Sequence, residues 1–117
     1  MAKILVIEDS EELWEMITTV LTTYQHDVIG SYKNIDTHTL ITESAPKLVL
    51  LDTWVEDKSG REICRQIKKN NPGLPVILMS ADPILLADHR SCNADDVLEK
   101  PFDIAELKHK IDNLLNS

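Results

Sequence analysis

The chain has 117 residues, the length of one domain, and it carries 12 Lys and Arg residues against 20 Asp and Glu residues. The net charge of −8 argues against a nucleic-acid backbone or an anionic membrane surface as the main partner, and no apolar run approaches a membrane span, so we expect a cytoplasmic protein. Three glycines are too few for collagen or for a glycine-rich dinucleotide loop.

Five short apolar runs alternate with helical patterns along the chain. Runs of this length, rich in Val, Ile and Leu, are typical of strands that are buried on both faces of a parallel sheet. In chain order they are Ile4–Ile7, Val28–Ile29, Leu48–Leu51, Val76–Met79 and Val97–Leu98.

Each run is followed by a segment that predicts a helix. The first helix has apolar residues at helical spacing from Leu13 to Tyr24, and the second, over Ile35–Ser44, is a weaker candidate because it carries three threonines. Three more helices are expected to begin at capping residues, which are Ser59, Asp82 and Asp103. Five repeats of strand and helix predict an α/β fold with a parallel sheet, helices on both faces and right-handed crossovers.

The two cysteines, Cys64 and Cys92, are far apart in the sequence and form no C-x-x-C motif. We therefore expect neither a disulfide framework nor a zinc site, and a reducing compartment fits this composition. Cys64 lies on the apolar face of its predicted helix and is expected in the core, whereas Cys92 is expected in a loop.

Polar side chains follow four of the predicted strands at the point where each strand ends. They are Glu8, Asp9, Asp52, Ser80 and Lys100. Ligands of open α/β sheets bind outside the carboxyl ends of the strands. We therefore expect three carboxylates, a hydroxyl and an ammonium group to converge on one edge of the sheet.

The chemistry of this set points to a metal-dependent phosphoryl acceptor. Clustered carboxylates repel each other, and oxygen ligands without cysteine or paired histidine favour Mg²⁺, with Mn²⁺ as an option, over Zn²⁺. Ser80 and Lys100 remain as donors for an anion with several oxygens, such as a phosphoryl group. Asp52, central in sequence and after the most apolar strand, is the best nucleophile. Asp9 taken alone could equally cap the first helix, but capping does not explain a lysine and three acids together.

This ordered set resembles the receiver domain of response regulators in two-component phosphorelay signalling. The matching residues are Glu8-Asp9, Asp52 with Gly60 eight positions on, Ser80-Ala81 and Lys100-Pro101-Phe102. The resemblance spans residues 1–117. It implies a flavodoxin-like (βα)5 doubly wound parallel sheet with strand order 2-1-3-4-5.

The resemblance also implies a role for each site residue. Asp52 would be the phosphoacceptor, and Glu8, Asp9, Asp52 and the backbone carbonyl of Trp54 would ligate Mg²⁺. Independently of the resemblance, the Trp54 ring is either an exposed loop aromatic or a lid over the site, and the lid is favoured because a large exposed apolar side chain is unusual in a polar loop. Such a module takes its phosphoryl group from a sensor histidine kinase or a histidine phosphotransfer protein, and it catalyses only its own phosphorylation and dephosphorylation. A weak homodimer is a further option.

On the opposite side of the site, Ser80 would hydrogen-bond a phosphoryl oxygen and Lys100 would pair with the phosphoryl group. The peptide bond before Pro101 would be cis. Val97 occupies the position of the family's aromatic switch residue, and it has no ring to move. The segment between Ser80 and Lys100 is also shorter than is typical, so we expect the fourth helix and the signalling switch to differ from the family pattern.

Two smaller departures and three alternative functions complete the sequence picture. Glu56 stands where the family often has proline, and Asn93 stands where it usually has glycine.

A receiver-like module that never carries phosphate, and acts by docking or dimerising, is the main alternative function. An aspartate-nucleophile phosphatase usually needs an acid where this chain has Trp54. A nucleotide-binding enzyme is disfavoured, because the chain has neither G-x-G-x-x-G nor a P-loop.

Overall fold

Five apolar segments form one parallel sheet within residues 2–31, 36–55 and 58–116, which this computed structural model describes. The strands of this sheet are β1 (Lys3–Ile7), β2 (Asp27–Ser31), β3 (Leu48–Asp52), β6 (Val76–Ser80) and β7 (Asp96–Glu99). Their order across the sheet is β2-β1-β3-β6-β7. Because β6 and β7 are the fourth and fifth strands of this sheet in chain order, the arrangement confirms the predicted flavodoxin-like fold with strand order 2-1-3-4-5.

The remaining two strands are short and were not predicted. β4 (Trp54–Val55) and β5 (Lys58–Ser59) pair antiparallel, directly after the carboxyl end of β3. Two-residue strands are too short to show a period in the sequence. Glu56 lies outside the described residues.

The predicted capping residues Ser59, Asp82 and Asp103 are the N-caps of their helices. The helices are α1 (Glu11–Thr23), α2 (Thr37–Ser44), α3 (Gly60–Asn70), α4 (Pro83–Ala87) and α5 (Ile104–Leu115), with a 3-10 helix at His89–Cys92. The five α-helices begin after side chains that each accept a backbone N–H of the first turn, namely Ser10, Asp36, Ser59, Asp82 and Asp103.

The cap of α1 decides between the two interpretations of Asp9. Ser10, not Asp9, accepts the Leu13 N–H, over 3.3 Å. The capping interpretation of Asp9 is therefore wrong, and its carboxylate serves no cap at this helix.

Two core clusters cover the two faces of the sheet, because successive residues of a strand point to opposite sides. On one face, Leu5, Val49 and Leu78 pack with residues of α2, α3, α4 and the 3-10 helix. On the other face, Val6 and Leu50 pack with residues of α1 and α5. Helices therefore cover both faces, as predicted.

The segment between β6 and β7 departs most from regular helix. α4 has five residues, and the 3-10 helix that follows it is capped at its C-terminus by Asn93, whose φ of 66° is left-handed. Asparagine tolerates this region better than most residues. Cys92, expected in a loop, instead ends the 3-10 helix and is fully buried, so that prediction is wrong.

In the described parts of the chain, no helix combines the length and the apolar character that a membrane crossing requires.

Candidate functional site

The register of the sheet brings the strand-end residues to one edge. Ile7 of β1 lies opposite Leu51 of β3, so Glu8 and Asp9 emerge beside Asp52. Ser80, the last residue of β6, lies opposite Glu99 of β7, and the Lys100 N–H donates to the Ser80 carbonyl over 2.8 Å. The parallel topology thus gathers residues that are far apart in sequence.

Three carboxylates form the centre of the site. Glu8, Asp9 and Asp52 each place an oxygen within 4.8 Å of the others. Glu8 and Asp52 are buried, with exposed fractions of 1% and 8%, while Asp9 is exposed. Closely spaced carboxylate oxygens with one side open to solvent match the ligands that a hard divalent cation such as Mg²⁺ uses. The residues present therefore fit the metal that the sequence predicts.

Lys100 joins two of the three carboxylates. Its Nζ lies 2.6 Å from Glu8 Oε1 and 3.0 Å from Asp52 Oδ2. The lysine side chain is 20% exposed, so these ion pairs are partly shielded from water. One ammonium group offsets only part of the charge of three carboxylates, which leaves the site with an excess of negative charge for a cation.

Burial changes the acidity of both partners in the Glu8 pair. Burial raises the pKa of Glu8, against the opposing hydrogen bonds from Lys100 and from the Ser10 N–H. For Lys100, burial alone would lower the pKa, but hydrogen bonding and ion pairing with Glu8 and Asp52 outweigh it and raise the pKa. The ammonium therefore stays protonated across the neutral range.

Close packing against the Asp52 backbone explains why a glycine, Gly60, stands eight positions after Asp52. A Cβ built on Gly60 would lie 1.8 Å from the Asp52 carbonyl oxygen, far inside contact distance. The Gly60 N–H donates to the Thr53 carbonyl over 2.7 Å. Only glycine lets the first residue of α3 pack directly on the backbone that carries Asp52.

Ser80 and Pro101 complete the edge on the far side. Ser80 is buried, and its Oγ accepts the Asp82 N–H over 3.0 Å. A hydroxyl can donate as well as accept, so this contact does not consume the donor that a phosphoryl oxygen would need. The peptide bond between Lys100 and Pro101 is cis.

Two further predicted residues, Trp54 and Val97, lie in β4 and β7. The backbone of Trp54 lies in β4, two residues beyond Asp52, but its ring lies outside the described part of the chain, so the lid remains a prediction. Val97 lies in β7, half-buried, and lines a cavity of about 380 Å³ between α4 and α5 together with Leu86 and Lys110.

Sequence reasoning missed two features beside the site. A largely apolar groove of about 320 Å³ borders Lys100, and it is lined by Leu13, Met16, Ala81, Pro101 and Phe102. Arg61, which follows Gly60, pairs with Asp88 and donates to Ser91 Oγ over 2.7 Å, so it ties the start of α3 to the segment after α4. The groove and the Arg61 contacts each involve residues that are distant in sequence, so no local sequence pattern predicts them.

Comparison with known proteins gives one consistent family. Residues 4–112 match the family model of the response regulator receiver domain. NtrX from Brucella abortus is similar at 27% identity and a TM-score of 0.90, over 98% of this chain and 27% of that chain. The chain therefore spans about a quarter of the length of that protein.

Two further solved structures are similar over nearly their whole length. The receiver domain of NtrX from Brucella abortus is 26% identical, with a TM-score of 0.90, over 97% of this chain and 98% of that chain. A two-component response regulator from Clostridium difficile is 19% identical, with a TM-score of 0.90, over 99% and 97% of the two chains. The last similarity supports the fold.

Proposed function

Because this chain belongs to the response regulator receiver domain family, we propose that it accepts a phosphoryl group on Asp52 in a Mg²⁺-dependent reaction. One observation carries the proposal. A carboxylate oxygen of Asp52 lies within 4.8 Å of a carboxylate oxygen of Glu8 and of Asp9. The Oδ2 atom of Asp52 also lies 3.0 Å from Lys100 Nζ. The sheet thus holds three carboxylates and one ammonium group close together, which supports the proposal of a nucleophile beside a cation site.

The carboxylate of Asp52 would act as the nucleophile on a phosphohistidine. One of its oxygens forms a bond to phosphorus while the phosphorus–nitrogen bond breaks, and the imidazole leaves with the electron pair. Lys100 orients the carboxylate before the reaction and can then pair with the new phosphoryl oxygens. Ser80 offers its hydroxyl to another of those oxygens.

Glu8, Asp9, Asp52 and the carbonyl of Trp54 would hold Mg²⁺, which when bound supplies positive charge to the transferring phosphoryl oxygens. The excess of carboxylates over ammonium groups at this edge supports that role. The transfer would take place in the cytoplasm, and the chain would act on itself rather than turn over a separate substrate.

The phosphodonor is proposed to be a sensor histidine kinase or a histidine phosphotransfer protein. Its histidine must come within bonding distance of Asp52, so the donor has to cover the adjoining surface. The groove beside Lys100 is apolar and open, and Met16 in it is 38% exposed. We propose that this groove receives an apolar face of the donor, because burial of such surface stabilises the complex.

The groove can be tested apart from the chemistry. Met16→Glu should slow transfer from a protein donor by tenfold or more, on the order of 1.4 kcal/mol, while labelling by acetyl phosphate stays unchanged. Thr19→Glu, on the same helix but outside the groove lining, is the matched control. Equal transfer rates in both variants would contradict the docking role.

Labelling with a small phosphodonor tests the phosphoacceptor itself. Acetyl phosphate with Mg²⁺ should label the wild type, a chelator should prevent labelling, and Asp52→Asn should abolish it. Asp27→Asn removes the same charge from an exposed position of β2 and should label like the wild type. Labelling of Asp52→Asn at the wild-type level would exclude the proposed acceptor.

The main alternative is a receiver-like module that binds partners without carrying phosphate. The half-buried Val97 and the five-residue α4 favour it, since both weaken the expected switch. Absence of labelling in wild-type protein that binds Mg²⁺ would favour this alternative.

A further inference from the structure

Two buried cysteines meet where α3 contacts the 3-10 helix. Cys64 and Cys92 are both fully buried and belong to the same core cluster. The Cys64 thiol donates to the Cys92 carbonyl oxygen over 3.4 Å, and the Cys92 thiol donates to the His89 carbonyl oxygen over 3.1 Å. Both are free thiols. The proposed phosphoryl chemistry uses neither of them.

Burial and the neighbouring Cys92 both affect the pKa of Cys64. Burial raises the pKa of the Cys64 thiol to about 12, and this shift includes a smaller contribution from the Cys92 thiol through its charge and a hydrogen bond. Cys64 therefore remains protonated at neutral pH and reacts slowly as a first nucleophile. Cys92 lies between two exposed residues, Ser91 and Asn93, which favours it as the position where oxidation begins.

We propose that Cys64 and Cys92 form an intramolecular disulfide on exposure to peroxide, and that this bond ties α3 to the 3-10 helix. The geometry supports it because the Cys64 sulfur already contacts the backbone of Cys92 itself.

The oxidation balances in two steps. The Cys92 sulfur displaces one oxygen of hydrogen peroxide, so that a sulfenic acid and one water form. The Cys64 sulfur then attacks the Cys92 sulfur, the sulfur–oxygen bond breaks, and the oxygen leaves as a second water after taking the Cys64 proton. Two thiols are oxidised and one peroxide is reduced.

Access to the buried pair comes from the 3-10 helix. Ser91 and Asn93, on either side of Cys92, are exposed, and the preceding α4 is only five residues long. Short elements with exposed flanks open locally at a free-energy cost far below that of global unfolding.

A disulfide between positions 64 and 92 would close a loop and restrict the unfolded state. The oxidised protein should therefore melt several degrees higher.

Peroxide treatment of the native, metal-free protein tests the proposal. After the treatment, the protein is denatured and its remaining thiols are alkylated. We expect an intact mass lower by two hydrogen atoms, no alkylation, a peptide that links positions 64 and 92, and reversal by dithiothreitol. The melting temperature should rise and should fall back on reduction.

Cys64→Ala and Cys92→Ala are the matched controls, and neither should lose two hydrogen atoms. Two other results would overturn the proposal in the wild type: thiols that stay fully alkylatable under conditions that oxidise the urea-denatured protein, or disulfides only between chains. A linked product with a lower melting temperature would also contradict it, because the native thiols would not be placed for the bond. None of these measurements depends on phosphorylation of Asp52.

Discussion

Lys100 shows how one side chain can serve two states of the site. In the metal-free protein its ammonium bridges Glu8 and Asp52, and it offsets part of the repulsion between buried carboxylates. A phosphoryl group on Asp52 would offer the same ammonium a stronger anionic partner. The lysine is thus already placed where new negative charge would appear.

Asp9 is the carboxylate outside that bridge, and its removal should relieve repulsion. We predict that Asp9→Asn raises the unfolding free energy of the metal-free protein by up to about 1 kcal/mol, and that it removes most of the stabilisation by Mg²⁺. Thermal scans in chelator and in Mg²⁺ measure both effects. A variant that is less stable than wild type in chelator would contradict this account.

Gly60 is the residue where the backbone itself approaches the site. Gly60→Ala should lower the unfolding free energy by about 3 kcal/mol or more, because its Cβ would force the Asp52 carbonyl to move. Gly73→Ala is the control, since nothing lies within 4 Å of its Cβ, and it should change stability by about 0.5 kcal/mol or less. Urea denaturation of both variants checks the prediction, and equal stabilities would be inconsistent with the packing.

At the level of elements, the segment between β6 and β7 would determine how far the proposed phosphorylation of Asp52 affects the rest of the fold. α4 has five residues, and Val97 has no ring that could swing between two positions. A ligand shifts a conformational equilibrium only by its differential affinity for the two states. Asp52 and the surface of α5 are therefore expected to be weakly coupled.

We predict that a beryllofluoride mimic of the phosphoryl group perturbs residues near Asp9, Asp52 and Ser80 strongly and α5 little. Backbone amide NMR with and without the mimic measures this directly. Large shifts across Ile104–Leu115, or dimers in light scattering that appear only with the mimic, would show that α5 is coupled to Asp52 after all.

The elements also show which parts of the molecule the sequence can predict. The sheet strands carry uninterrupted apolar runs because both of their faces are buried, and their parallel order brings Asp52, Ser80 and Lys100 to one edge. The β4–β5 hairpin and the burial of Cys92 depend on tertiary contacts that leave no local period. The choice of Ser10 over Asp9 as a cap depends on a one-residue difference in where α1 begins, which pattern alone does not resolve.

At the scale of the whole molecule, the buried acid of the site should make stability depend on pH. Burial raises the pKa of Glu8 from 4.5 to about 7, so the folded state binds this proton more tightly than the unfolded state. Its contribution is therefore fully present below pH 4.5 and is lost as the pH rises through 7. The loss is about 3 kcal/mol.

The comparison of wild type with Glu8→Gln in chelator isolates this contribution from those of other acids. The wild-type unfolding free energy should fall relative to the variant as the pH rises from 4.5 to 7. Urea denaturation at several pH values measures the difference. A difference that stays constant, or that changes in the opposite direction, would mean that Glu8 is not the buried, proton-binding group of the metal-free site.

We propose that Asp52 carries the phosphoryl group, and chemical mapping of the phosphorylated residue tests that proposal. Borohydride reduces an aspartyl phosphate to homoserine, so treatment after incubation with acetyl phosphate and Mg²⁺ marks the acceptor in the peptide mass spectrum. We expect homoserine at position 52, and none there in samples that lack Mg²⁺ or the phosphodonor. Homoserine at another aspartate, with position 52 unchanged, would contradict it.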